Sequence, residues 1–307
     1  MNKVWLTGDA VVDLIPDSAN TYLKCPGGAP ANVAVGIARL GGDCGFFGRV
    51  GNDPFGRFMQ HRLKEENVDT RFLTLDDNHR TSTVLVDLDS DGERTFTFMV
   101  KPSADQFTQP EDVPNFSHGE WLHCCSIALA NEPSRSTTLN AMNALKHAGG
   151  FVSFDPNLRD EVWANPEEIR PVVMQAIAMA DVVKFSEEEL LFLTDTSSLQ
   201  SGLTALEPLN LPLVLVTLGA KGSLAVFLGQ QHSVASSPVQ AVDTTGAGDA
   251  FVCGLLAYLY QYEQWNNTEV ILEAVRWGNH CGALATTKKG AMTALPTKEQ
   301  LLQHFLN

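Results

Sequence analysis

No stretch of the chain approaches the roughly 18 consecutive apolar residues that a membrane-spanning helix requires. The apolar runs present are strand-length or amphipathic, so no membrane partner is expected. Met1 to Asp13 lack a basic lead segment, meet acids at Asp9 and Asp13 and offer no separate cleavage region, which argues against a signal peptide. Cys-x-x-Cys pairs are also missing. Cys25, Cys44, Cys124, Cys125, Cys253 and Cys281 sit mostly in apolar runs, as the reduced thiols of a cytoplasmic protein do, rather than in a disulfide framework. The Asn266-Asn267-Thr268 sequon then carries no meaning. Basic residues are scarce: 21 Lys and Arg against 36 Asp and Glu give a formal charge of −15. That balance opposes nonspecific attraction to DNA, RNA or anionic lipid, so no nucleic-acid partner is expected. No G-x-x-x-x-G-K-[ST] pattern occurs, and no G-x-G-x-x-G follows the first strand. These absences argue against a P-loop kinase and a nicotinamide dehydrogenase.

What is present is enough apolar material for a large core: 307 residues, 44% hydrophobic and 19% charged, with 24 glycines and 15 prolines spread along the chain rather than gathered in a linker. Strand-like and helical segments alternate. Val4 to Gly8, Gly45 to Val50, Trp121 to Ile127, Phe151 to Phe154, Val182 to Phe185 and Leu213 to Thr217 read as strands. Between them Ala31 to Leu40, Pro54 to Asn67, Pro133 to Ala148 and Pro166 to Met179 read as helices. This alternation predicts a mostly parallel sheet covered on both faces, with ligands beyond the carboxyl ends of its strands. Thr81 to Leu88 and Glu93 to Val100 break the rhythm, because they alternate apolar and polar residues about Ser90-Asp91-Gly92. They read as an antiparallel hairpin with one wet face, grouped with Thr21 to Cys25 as a flap. One domain over residues 1–307 is expected, with lid segments at about 13–27 and 78–104.

The chemistry concentrates in Asp243-Thr244-Thr245-Gly246-Ala247-Gly248-Asp249-Ala250-Phe251, which runs into apolar residues at helical spacing. Here a glycine-rich turn opens a helix, and the amides of Gly246, Ala247 and Gly248 lie at the positive end of its dipole, suited to a phosphate or oxyanion. Asp249 falls in the first helical turn, where it can take the proton of a substrate hydroxyl while those amides neutralise developing charge. A second stretch, Pro26-Gly27-Gly28-Ala29-Pro30-Ala31-Asn32, pairs two glycines that let a small ligand touch the backbone with a proline fitted to a first helical turn. His118, Glu120, His123, Cys124 and Cys125 invite a zinc reading, but they span a strand whose alternate residues face opposite ways, without standard ligand spacing. Packing is the preferred reading there.

The two glycine motifs together resemble the C-terminal and N-terminal signatures of the ribokinase, or PfkB, carbohydrate-kinase superfamily, and the resemblance extends over essentially the whole chain. It implies a ribokinase-like three-layer α/β/α fold with a mostly parallel central sheet and a small protruding β lid. It makes Asp249 the catalytic base, beside the anion site of Gly246, Ala247 and Gly248. Asp13 matches the family's sugar-hydroxyl acceptor at the end of the first strand, with Gly28, Asn32, Phe98 and Arg159 about the same sugar. Asp155, in Asp155-Pro156-Asn157-Leu158-Arg159, lies nearer the nucleotide. Thr217, Gly219, Ala220 and Gly222 match the turn lining ATP, Gly248 adjoins it, and Asn279 matches the adenine-side helix. Lys184 and Glu189 match the region linked to phosphate and Mg²⁺, Glu189 acting through metal-bound water, although Ser186 stands where Asn is usual. Asp243, Thr245, Ala285, Lys288 and Gly290 match a monovalent-cation site, which implies activation by K⁺.

Within the superfamily, the runs Gly8-Asp9-Ala10-Val11-Val12-Asp13-Leu14-Ile15-Pro16, Pro26-Gly27-Gly28-Ala29-Pro30-Ala31-Asn32 and Lys289-Gly290-Ala291-Met292-Thr293-Ala294-Leu295-Pro296 look most like bacterial fructokinases. That resemblance implies ATP-dependent phosphorylation of D-fructose to fructose 6-phosphate at a hydroxymethyl group. Aminoimidazole riboside kinase is the first rival, then ribokinase and adenosine kinase. A sugar-binding regulator without catalysis is the non-enzyme alternative. An apolar flap face would allow a homodimer through the lid; a shorter flap would leave a monomer.

Overall fold

The computed structural model describes residues 2–88 and 94–306. The expected hairpin turn, Ser90-Asp91-Gly92, and Glu93 beside it lie outside the described residues. The described strands are β1 (Val4–Thr7), β2 (Val11–Ser18), β3 (Thr21–Gly27), β4 (Cys44–Gly51), β5 (Asp69–Asp76), β6 (Thr83–Leu88), β7 (Arg94–Phe98), β8 (Trp121–Cys125), β9 (Phe151–Asp155), β10 (Val182–Ser186), β11 (Leu213–Thr217), β12 (Ser223–Phe227) and β13 (Gln230–Val234). The α-helices are α1 (Ala29–Arg39), α2 (Pro54–Glu65), α3 (Ser134–His147), α4 (Ile169–Ile177), α5 (Glu187–Thr194), α6 (Leu199–Leu206), α7 (Ala247–Leu259), α8 (Thr268–Thr286) and α9 (Lys298–Phe305).

The nine-stranded sheet runs β13-β12-β11-β10-β9-β8-β1-β4-β5, and its strands from β11 to β5 pair in parallel. Parallel strands are covered on both faces, which is why β1 and β8 are buried along their whole length. One core lies under α1, α7 and α8, with Ile37, Phe251 and Val275; the other lies under α3 and α4, with Met142, Phe154 and Val173. Two packed faces make three layers. The antiparallel β12 and β13 extend one edge.

The strands read from sequence agree with the observed ones to within a few residues. The expected helix at Pro166 begins as a 3₁₀ turn over Pro166–Glu168 before α4. Four strands, β2, β5, β12 and β13, were not anticipated. Gly8, at φ 132°, stops β1, and the chain leaves the large sheet to form β2 of a second, four-stranded sheet ordered β3-β2-β6-β7. Asp13 therefore stands within β2 instead of ending the first strand. The expected hairpin is observed as the antiparallel pair β6 and β7, while β2 lies parallel to β6. Among the described residues no helix is long and apolar enough to cross a membrane.

Helix α7 is held by unusually close neighbours. A Cβ on Gly254 would stand 2.5 Å from the Trp277 carbonyl oxygen of α8, so α7 and α8 approach only because no side chain intervenes. Gly254→Ala must push the helices apart and should destabilise the protein by about 1–3 kcal/mol. A lower urea midpoint at constant slope is the expected reading; an unchanged midpoint would show that the contact is looser than described.

Candidate active site

The carboxyl ends of β1, β9, β10 and β11 open toward the start of α7, and the candidate residues gather there. Gly246 is the residue before the helix, with φ 77°; a Cβ there would also come within 2.8 Å of the Ala291 Cβ. Glycine is thus required by backbone and by space. The Ala247 amide donates to the Thr244 carbonyl at 3.2 Å, closing the turn. Gly248 and Asp249 follow in the first turn, where helical N–H groups have no partner within the helix.

Asp249 is buried, with its carboxylate between two amide side chains. Asn32 on α1 donates from Nδ2 to Oδ2 at 2.8 Å, and Asn157 donates to Oδ1 at 3.4 Å. Burial pushes the Asp249 carboxyl up to about 6; the Asn32 hydrogen bond works against that rise and the charge of Asp155 adds to it. Asp155, at the end of β9, forms a buried 2.9 Å ion pair with Lys184 on β10. Burial alone would lower the Lys184 pKa, but Asp155 and Glu189 outweigh it and hold the ammonium firmly charged. A Cβ on Gly248 would lie 3.2 Å from Lys184 Nζ, so the ammonium stands directly against the glycine turn.

A cleft of 530 Å³ opens over Asp249. Asp13, Gly28, Asn32, Phe98 and Arg159 line it, as do Lys184, Glu189, Thr245, Gly246 and Gly248. The glycine pair before α1 has a steric cause. A Cβ on Gly27 would meet Asp13 Oδ2 at 2.5 Å, and one on Gly28, at φ 97°, would meet the Asp9 carbonyl at 2.4 Å. Arg159 is exposed at the rim, its guanidinium donating to the Leu158 carbonyl at 2.7 Å. A second cleft, 510 Å³, is lined by Thr217, Gly219, Ala220, Gly222, Gly248 and Asn279. Gly222 can take no side chain, since a Cβ would fall 2.1 Å from the Val234 carbonyl. The two clefts share Gly248. Two clefts of similar size, the second with the more apolar walls, therefore meet at a glycine turn beside a buried carboxylate.

A family model described as pfkB family carbohydrate kinase matches residues 1–298. The chain belongs to that family. This kinase, a phosphotransferase with an alcohol acceptor, is 64% identical over 303 residues to a fructokinase of Vibrio alginolyticus, covering 99% of both chains. The crystal structure of fructokinase from Vibrio cholerae O395 in its fructose, ADP and calcium ion bound form superposes with a TM-score of 0.96 at 63% identity, covering 99% of both chains. Aminoimidazole riboside kinase from Salmonella enterica, complexed with aminoimidazole riboside and an ATP analogue, gives 0.94 at 41% identity and full coverage of both. The fold is the ribokinase-like α/β architecture.

Several residues of this kinase hold positions that its motifs did not reveal. Ser186 and Glu189 form a capping box at the start of α5: Ser186 Oγ accepts from the Glu189 amide at 3.1 Å, and Glu189 Oε2 accepts from the Ser186 amide at 2.8 Å. Glu189 Oε1 also accepts from the Leu158 amide at 3.0 Å, clipping the loop that carries Asn157 and Arg159 to α5. Asn279 donates to the Val234 and Ala235 carbonyls at 2.9 and 3.3 Å, fixing the strand exit that walls the second cleft. Asn157 and Asp9 were missed as site residues although both stand inside quoted motifs; Ser236, Ser237, Pro238 and Val239, on the second cleft, carried no signal. The tempting zinc set is not assembled: His123 pairs with Ser153 at 3.0 Å, burial pushes its imidazole down to about 3, and among the described residues no three or more His, Cys, Asp and Glu side chains gather as a metal site would need.

Asp243 ties two loops together by accepting from the Thr245 amide at 3.0 Å and the Gly290 amide at 2.8 Å. The Asp243 amide donates to the Thr286 carbonyl at 3.1 Å and the Lys288 amide to the Ala285 carbonyl at 3.5 Å, so the residues expected about a monovalent cation lie on neighbouring segments.

Replacing Asp249 by Asn should cut kcat by about 10²- to 10⁴-fold with the circular-dichroism spectrum unchanged, the scale of losing a general base. For the unaltered chain kcat/KM should fall on acidification through an apparent pKa near about 6, because the base must be unprotonated. Asp9, pushed up to about 7 by burial and by Asp105, faces the same cleft, so this limb belongs to interacting carboxyls jointly. Near-normal turnover of the Asn variant would remove Asp249 from the chemistry.

Proposed function

We propose that this kinase transfers the γ-phosphoryl group of ATP to the hydroxymethyl group of D-fructose, giving fructose 6-phosphate. The observation that carries the reading is the meeting of the two clefts at Gly248, next to the Asp249 carboxylate. The near-identity in fold to a fructokinase with fructose and ADP bound supports the choice of sugar. Thr217, Gly219, Ala220, Gly222 and Asn279 bound the nucleotide chamber. Asp13, Gly28, Asn32 and Arg159 position the sugar, and Phe98, paired with Val84 across β7 and β6, closes over it from the second sheet, which acts as the lid. Residues 1–307 work as one ribokinase-like unit.

Asp249 takes the proton of the attacking hydroxyl as the new P–O bond forms. The amides of Gly246 and Gly248 and the ammonium of Lys184 stabilise the charge that develops on the transferred oxygens. Asn32 and Asn157 hold the carboxylate in the line of attack, so the rate gain is mainly positioning and electrostatics. Mg²⁺ fits as an ion carried by the nucleotide phosphates: no protein cage exists among the described residues, and Asp155 Oδ1 is a buried oxygen without a hydrogen-bond partner beside Lys184. When bound, it would neutralise phosphate charge, with Glu189 and Asp155 reaching it through water. K⁺ fits the corner of Asp243, Thr245, Ala285, Lys288 and Gly290, where the Asp243 carboxylate draws the Thr245 and Gly290 loops together, and would support the Gly246 turn.

Cys44, Cys124, Cys125, Cys253 and Cys281 are buried thiols outside any disulfide, which supports a cytoplasmic location. Tyr22, Leu23 and Met99 are exposed on or beside the second sheet, which supports a homodimer through the lid, to be checked by light scattering.

A coupled assay of ADP release with fructose, ribose, adenosine and aminoimidazole riboside tests the substrate. Fructose should give the highest kcat/KM, and K⁺ buffer should exceed Na⁺ buffer. A preference for aminoimidazole riboside would move the assignment to the rival, and equal rates in the two salts would remove the potassium role.

A further inference from the structure

Asp9 follows Gly8 at the point where the chain leaves β1, and it lines the sugar cleft. It is 5% exposed, and its Oδ1 is a buried oxygen without a hydrogen-bond partner. Buried acceptors are normally satisfied, and one that is not calls for an explanation in strain, catalysis or a ligand. Strain does not explain it, because Asp9 carries no positive φ. Catalysis does not need it, because Asp249 already supplies the base. The charges that bear on Asp9 come from Asp105 behind the cleft, Asp249 on the α7 side and Arg159 at the rim. Two of the three repel it, so a second anion is disfavoured beside this oxygen and a hydrogen-bond donor is favoured.

We propose that Asp9 is a specificity-determining residue that accepts a hydrogen bond from a sugar hydroxyl other than the one receiving the phosphoryl group. The proposal rests on the sugar-kinase reading above and adds a requirement to it: the acceptor must present an intact hydroxyl at a second, fixed position. Gly28 makes this geometry available. A Cβ there would fall 2.4 Å from the Asp9 carbonyl, so glycine keeps the turn tight against the main chain of Asp9 and leaves the cleft floor open. Asn32 Oδ1, a second buried acceptor without a partner in the same cleft, points to the same kind of occupant, a polyol rich in donors.

The test is steady-state kinetics of the full chain and of Asp9→Asn with fructose and with analogues each lacking one hydroxyl: the monodeoxy sugars and the anhydro-alditol without the anomeric hydroxyl. Asp9→Asn keeps the side chain's shape. It should raise KM for fructose about 10- to 100-fold, the scale of one hydrogen bond to a charged group, while kcat and KM for ATP stay within about twofold. For one analogue the variant should show no further loss, because the partner of Asp9 is already gone; for the others the full loss should remain. An equal loss for every analogue would mean general distortion and overturn the proposal, as would an unchanged KM for fructose. Turnover of fructose by the unaltered chain is read first. Its absence would sink the substrate named above, and the analogue series is then run on the sugar that is phosphorylated.

Discussion

A single hydrogen bond, 2.8 Å from Asn32 to Asp249, joins helices that start 218 positions apart, at Ala29 and Ala247, and everything at the site is arranged around it. The bond can form because α1 and α7 touch with almost no side chain between them: a Cβ on Gly36 would fall 2.7 Å from the Cys253 Cβ. It aims the carboxylate and partly offsets the cost of burying it. Carboxylates out of water prefer to be neutral, and a hydrogen bond to the charged form pulls the other way. The balance leaves Asp249 basic enough to accept a proton yet unprotonated in neutral solution. With bulk water around it the same carboxylate would be a weaker base.

Charge is handled locally in a chain whose total is strongly negative. Lys184 is the buried cation at the junction of the clefts, and Asp155 holds it at 2.9 Å without exposing it. Since a Cβ on Gly248 would crowd this ammonium, glycine gives a phosphate access to both the ammonium and the helix start. Fixed donors in a dry site need no reorientation as charge develops, so they act more strongly than water would. The remaining acidic surface then repels other polyanions, which fits a site that takes one small anion deep inside.

Much of this was legible in the sequence because the motifs coincide with strand ends and helix starts. Gly246 to Asp249, Gly28 to Asn32 and Asp155 to Arg159 each occupy such a junction, where backbone geometry forces particular residue types. Ser186-Glu187-Glu188-Glu189 also carried a readable signal, the Ser-x-x-Glu spacing of a capping box, and attention to a metal hid it. Asp9 sat in a quoted run, yet nothing in its spacing distinguishes a turn acid from one buried with an unpartnered oxygen. The second sheet was only half visible: β2 pairs in parallel with β6 across some seventy residues, and no local pattern encodes a partner so distant. The loop from Ser236 to Val239 is placed by Asn279 reaching back to β13, again a long-range cause.

The two clefts differ in what they lack. In the sugar cleft Asn32 Oδ1 and Asp9 Oδ1 are acceptors without donors, whereas the junction at Gly248 offers an ammonium and helix-start amides. An occupant rich in hydroxyls is therefore favoured at one end and an anion at the other, and the reverse placement leaves oxygens facing oxygens. This sorting favours one placement before any chemistry begins, with the hydroxyl-rich partner in one cleft and the anion at Gly248, beside Asp249. Water can also donate to those acceptors, so the sugar must displace it by satisfying several at once. A ligand with one hydroxyl missing would leave a buried oxygen unsatisfied, and the penalty for that exceeds the gain from an ordinary contact. On the proposed reading, selectivity for an intact sugar comes from these unpaired oxygens.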